Sequence, residues 1–242
     1  LGVDDEAGAR ALALLLLLGR GRGELRAALH PLRAAALAGY VLAFSFAYRA
    51  LTAGTGALLL FGCVQVTLLA LAFLRGDRPS PPKVLGALLA FSGLLVLSLP
   101  TAHRPPVGAA LAMAGAGVAW GLYTWQGRGS ARPLADTTAA FLGATLLAVP
   151  AFLASGPHVL TARGALLAIG SGVLASGATY ALWYTVVPRL GAVRASVVQL
   201  AVPPLTAAVA TAWLGEVPGA AWFAAAALTL GGIALATTSG SR

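Results

Sequence analysis

The chain has 242 residues, 59% of them hydrophobic and 10% charged, with a formal net charge of +9. A soluble domain carries roughly 25% charged residues, so the composition sets aside a soluble bundle, which would need polar outer faces. A nucleic-acid role for the positive charge is set aside as well, because the 16 Lys and Arg are split among short loops instead of forming one stripe.

In chain order, the first segment is the odd one. Ala11–Leu18 is apolar but too short to span a bilayer, and Asp4, Asp5 and Glu6 precede it. Leading acids and the lack of a small-residue cleavage pattern do not fit a signal peptide. Residues 7–19 are therefore expected to form a shortened helix. Apolar runs of spanning length then follow at 34–50, 54–74, 83–100, 107–126, 137–154, 164–187, 192–214 and 219–237. Each must be a helix, since an isolated strand cannot satisfy its backbone in lipid. The expected fold is an all-α integral membrane protein.

A constant shift of 139 relates residues 39–97 to 178–236. Gly76-Asp77-x-Pro79 recurs as Gly215-Glu216-x-Pro218, and Gly93-Leu94 recurs as Gly232-Ile233. Phe44 matches Trp183, and Leu51 matches Leu190. A duplicated apolar unit of this kind is the mark of a transporter built from internal repeats. The expected division is a first repeat over 1–100 and a second over 107–242. Shifting the start of the second repeat back by 139 places the start of the first before Leu1. The repeat thus implies ten helices, two units of five, where nine hydrophobic segments are present and the leading one is lacking.

The basic residues give an orientation. One set of loops holds Arg20, Arg22, Arg26, Arg33, Arg75, Arg78, Lys83, Arg128, Arg132, Arg189, Arg194 and Arg242. The other holds Arg10, Arg49, Arg104 and Arg163. The richer side is expected to be cytoplasmic. With five helices per unit, the two repeats are then inverted relative to each other.

These features resemble an EamA-type exporter of the drug/metabolite transporter superfamily over Arg10 to Ala236. The motifs that carry the likeness are Ala47-x-x-Ala50-Leu51, Leu74-x-Gly76-Asp77, Leu85-Gly86 with Gly93, and Ala119-Trp120-Gly121-x-Tyr123. The second repeat adds Arg189-Leu190-Gly191-Ala192, Leu200-x-x-Pro203 and Leu214-Gly215-Glu216. The resemblance implies inverted five-helix units, cytoplasmic termini and a central substrate cavity. In place of the proline expected opposite Pro203, the first repeat has Val64.

Little in the chain suits catalysis. His30, His103 and His158 are scattered among loops, and Cys63 is the single cysteine. Neither a metal centre nor a cofactor is expected. The acids Asp77 and Glu216 fall at helix ends and read as interfacial, so no carboxylate is expected deep in the spans. The aromatic and amide residues say more. Tyr40 and Phe44 share a helix face, as do Trp120 and Tyr123. Gln65 and Gln199 are amides that need partners in hydrocarbon, while Pro203 with Pro204 removes two backbone donors in mid-span. Tyr48, Trp125, Trp213 and Trp222 read as interfacial belt residues.

The expected substrate-binding set is Tyr40, Phe44, Gln65, Trp120, Tyr123, Trp183, Gln199 and Pro203. The expected function is transport, outward, of amino acids, amphipathic metabolites or drugs across the inner (cytoplasmic) membrane by alternating access. The expected partners are a small-molecule substrate and the lipid bilayer, without nucleic acid. The competing reading is a non-transporting membrane partner or assembly subunit.

Overall fold

A computed structural model describes residues 28–99, 104–154, 161–170, 172, 176–177, 179–214 and 219–238. The expected short helix at 7–19 and the acid Glu216 lie outside the described residues, as does the side chain of Trp213. The regular structure described is helical: α1 (Pro31–Ala47), α2 (Ala53–Leu74), α3 (Pro81–Ser98), α4 (Val107–Gly127), α5 (Pro133–Ala154), α6 (Ala162–Gly170), α7 (Thr179–Val198), α8 (Val202–Leu214) and α9 (Ala220–Thr238). Among the described residues, six stretches are long and apolar enough to cross a membrane, and α1 is a shorter apolar helix. The all-α membrane fold expected from composition is the one observed.

The distribution of polarity agrees with a lipid solvent. Leu111, Leu146, Leu182, Leu205 and Leu230 are all exposed, whereas Gln65, Thr124, Asp136, Thr137, Ser196, Gln199 and Thr229 are buried. Apolar side chains turned outward need a hydrocarbon cover, and polar ones turned inward must find partners there.

Helix ends follow local chemistry. Prolines open α1, α3 and α5, where a missing N–H costs nothing. Helices α1 and α5 therefore start a few residues before their hydropathy suggests. Thr52 caps α2 by accepting from the Thr55 amide at 3.3 Å. Gly76, at φ +81°, ends the same helix in a left-handed cap, and the Asp77 amide reaches back to the Ala72 carbonyl at 2.9 Å. Within the run expected at 164–187, α6 ends at Gly170 and α7 begins at Thr179, and residues 172, 176 and 177 between them are π-helical. The next expected interruption falls at Gly191, whose φ of +73° breaks the regular course of α7.

The chain divides into two compact units, one formed by the chain up to Ser45 with Leu122–Arg189, the other by Phe46–Gly121 with Leu190–Arg242. In the second unit α3 lies against α9, with Ala87, Ala90, Leu94, Val197, Leu200 and Ala236 forming the core. The approach is close because small residues face each other. A Cβ placed on Gly86 would lie 2.6 Å from the Gly232 carbonyl oxygen, and one on Gly93 would lie 2.6 Å from that of Ala225. Moving up one helix moves down the other, so the two run antiparallel. The 139-residue shift maps Gly86 onto Ala225 and Gly93 onto Gly232. The two contacts are thus one contact repeated by a local two-fold axis. At its centre the Thr229 hydroxyl donates to the carbonyl of its own repeat mate, Ala90, at 3.4 Å. For this helix pair the inverted relation expected from the sequence is present in space. In the same unit α4 approaches α2 through Gly117, against Leu60 and Cys63, and Gly121, against Thr67.

In the first unit the start of α1 meets α5. Gly143 faces Ala34, and Ala28 clusters with Ala135 and Ala139. Arg33 Nη1 lies 2.7 Å from Asp136 Oδ1, with both side chains largely buried. The Ser130 hydroxyl donates to the other carboxylate oxygen at 2.6 Å. Asp136 is thus a carboxylate that the sequence reading did not single out: it lies in the first turn of α5, not deep in a span, yet is buried and held by an arginine.

Candidate functional site

The eight expected binding residues fall into two groups of four, one in each unit. In the second unit, Trp120 of α4 donates its indole N–H to the Gln199 side-chain carbonyl. Gln199 in turn donates to the Ala195 carbonyl at 3.2 Å. The backbone explains why Gln199 is held at that point. Pro203 and Pro204 have no N–H, so the carbonyls of Gln199 and Leu200 lose their α-helical donors. The chain tightens into a single 3-10 turn over Gln199–Ala201, and the Val202 amide reaches the Gln199 carbonyl. The Pro204 carbonyl accepts the Trp222 indole N–H at 3.2 Å.

Gln65 of α2 is buried, and among the described residues neither its amide nitrogen nor its carbonyl oxygen has a hydrogen-bond partner. Leaving a polar group so costs about 1–3 kcal/mol. Val64, at the position where the resemblance leads one to expect proline, is fully buried within an unbroken α2. The irregular backbone therefore occurs at Pro203 and not at its repeat mate.

The other four residues form an aromatic group in the first unit. Tyr40 and Phe44, one turn apart on α1, meet in a tilted arrangement with centroids 5.4 Å apart. The Tyr180 hydroxyl reaches that of Tyr40 at 3.4 Å. Tyr123 is fully buried, 4.6 Å from Tyr184 and 6.4 Å from Tyr180 between ring centres. The Tyr184 hydroxyl donates to the Tyr123 carbonyl at 2.8 Å. Trp183 donates its indole N–H to the Thr124 hydroxyl at 3.3 Å. Tyr180 and Tyr184 belong to this group and escaped the sequence reading. Their four-residue spacing on α7 was the available signal.

The belt assignment needs one correction. Trp125 is buried, and the Arg128 guanidinium lies 3.4 Å from its ring centre. The cation covers the indole face, which a cation–π contact favours. Tyr48, in the turn after α1, lies against Gly56, and burial raises its phenol pKa.

A polar and aromatic interior within helices clad in apolar side chains is that of a multi-pass membrane protein. The EamA-like transporter family profile matches residues 107–238, more than half of the chain, and the chain belongs to that family. A Pseudomonas aeruginosa protein described as uncharacterized is 48% identical over 235 residues, covering 95% of this chain and 80% of that one. A protein of Streptantibioticus cattleyicolor named as a probable terminal-alkyne amino-acid exporter is 28% identical over 196 residues. That match covers 76% of this chain and 63% of the exporter. A crystal structure of another protein superposes with a TM-score of 0.80 at 24% identity, over all of this chain and 88% of that one, which speaks to the fold.

Proposed function

We propose that the protein exports small amphipathic metabolites, amino acids foremost, by alternating access across the cytoplasmic membrane. The carrying observation is the Trp120–Gln199 pair, fixed at the backbone interruption that precedes Pro203. Irregular backbone at membrane depth is tolerated where it is buried in protein or lines a cavity, and transporter sites are commonly built on such breaks. The naming of one relative as a probable amino-acid exporter supports the substrate class. Substrate contacts are assigned to Gln65, Trp120, Gln199 and Pro203 from one group and to Tyr40, Phe44, Tyr123 and Trp183 from the other. The amides offer donors and acceptors to a carboxylate or amine, and the aromatic faces hold apolar parts or a cation.

Counterflow of labelled neutral amino acids in vesicles reconstituted with the protein tests this. Saturable exchange, accelerated by unlabelled amino acid on the far side, is the expected result. Trp120→Ala should raise KM by roughly threefold to tenfold, the loss of one buried aromatic contact. Gln65→Leu should reduce transport while raising stability by about 1–3 kcal/mol, since it removes two unpartnered polar atoms. Flux without saturation would identify a passive channel. A folded protein that moves no amphipathic solute would leave the assembly-subunit reading.

Orientation is tested by cysteine labelling in a Cys63→Ala background. Arg132→Cys and Arg104→Cys both place the thiol at exposed positions. Arg104→Cys is expected to react with an impermeant reagent from outside intact cells, and Arg132→Cys after lysis alone. The reverse pattern would invert the topology.

A further inference from the structure

We propose that a cleft in the second unit, between the turn after α2 and the break in α7, binds a phosphate-bearing anion. This goes beyond the transport reading and does not depend on it. The cleft has a volume of about 300 Å³, and Arg78, Lys83 and Arg194 line it together with Asp77 and Gly191. That volume lies at the lower end for ligand sites. Two arginine forks and a lysine ammonium exceed the one carboxylate, and guanidinium groups match phosphate oxygens in geometry as well as charge. The cleft exists because the chain reverses at two left-handed glycines. Gly76 ends α2 just before Asp77 and Arg78, and Gly191 redirects α7 just before Arg194.

The repeat supplies a separate argument. Under the 139-residue shift Asp77 maps to Glu216, so the acid is common to both repeats. Arg78, Lys83 and Arg194 map to Val217, Trp222 and Thr55, none of them charged. The fold of the repeat therefore does not require the three cations, and they have been gathered at one of the two equivalent places. The ends of α2 and α3 that border the cleft expose Phe73, Leu74, Leu85 and Leu88. A cationic cleft beside an apolar helix surface suits an anionic phospholipid, with its headgroup in the cleft and its chains along the helices. A soluble phosphate offers the same headgroup chemistry without the chains.

The test uses the full chain purified in detergent, with thermal unfolding followed during titration. The probes are dihexanoyl phosphatidylglycerol, inorganic phosphate, and zwitterionic dihexanoyl phosphatidylcholine. Phosphatidylglycerol is expected to raise Tm and phosphatidylcholine to leave it unchanged. The combined variant Arg78→Gln, Lys83→Gln, Arg194→Gln should bind phosphatidylglycerol roughly tenfold or more weakly, through loss of charge-assisted hydrogen bonds. A control variant, Arg104→Gln, Arg132→Gln, Arg163→Gln, should bind as the wild type does. If the combined variant does not fold, the single Lys83→Gln variant should still weaken binding severalfold. Protection by phosphatidylglycerol alone identifies a lipid site, and equal protection by inorganic phosphate identifies a site for soluble anions. Protection by neither, or equal weakening in the control variant, overturns the proposal.

Discussion

Replacing Arg33 by Gln is expected to cost about 3–5 kcal/mol of stability, because Asp136 would keep its charge inside the fold without its partner. The pair is 2.7 Å apart, and both side chains are largely removed from solvent. Asp136→Ala should cost a comparable amount, leaving Arg33 uncompensated. The double variant Arg33→Met, Asp136→Leu should recover most of the loss, since an apolar pair of similar volume replaces a buried ion pair at little penalty. Thermal unfolding of the four proteins in one detergent checks this. Additive losses in the double variant would show that the two side chains act independently.

The second large effect lies at the crossing of α3 and α9. Gly232→Ala is expected to destabilise by about 1–3 kcal/mol, and Gly232→Val by more, because the added carbon meets the backbone of Ala90 and Gly86 and not a flexible side chain. Gly231, one position earlier, faces open space. Gly231→Ala should be harmless or gain up to about 1 kcal/mol from better helix propensity. The fraction of monodisperse protein after extraction and the unfolding midpoint both report the contrast. Equal behaviour of Gly231→Ala and Gly232→Ala would contradict the close approach.

The α3–α9 crossing was partly legible in the sequence. Gly93 and Gly232 stood out as repeat mates, and small residues at matching places are what an in-plane two-fold axis needs. That the same glycines form the contact could not be read, because a repeat relates positions without bringing them together. The 3-10 turn before Pro203 was legible in kind, since two prolines must release two carbonyls. The partner of Gln199 was not, as Trp120 lies 79 residues away. The Arg33–Asp136 pair was missed for a similar reason. Hydropathy began α1 after Arg33 and α5 after Asp136, so Arg33 was placed among the loop charges and Asp136 fell just outside its span. Prolines at 31 and 133 start these helices earlier and carry both charges inward. Trp125 was misassigned because an indole near a helix end suits the bilayer interface, and nothing local reveals that Arg128 folds back over it.

The two-fold pairing of α3 with α9 also sets the order of biogenesis. During synthesis α3 is inserted with its glycine face, Gly86 to Gly93, open, while its partner α9 is still untranslated. More than a hundred residues must leave the ribosome before Ala90 can accept from Thr229. The entropy of closing so long a loop rises only slowly with its length. The delay matters more than the free energy: until α9 arrives, the half-built unit exposes a face made for another helix, and other membrane segments compete for it. Completion of this unit therefore waits for α9, the later of the two helices to leave the ribosome.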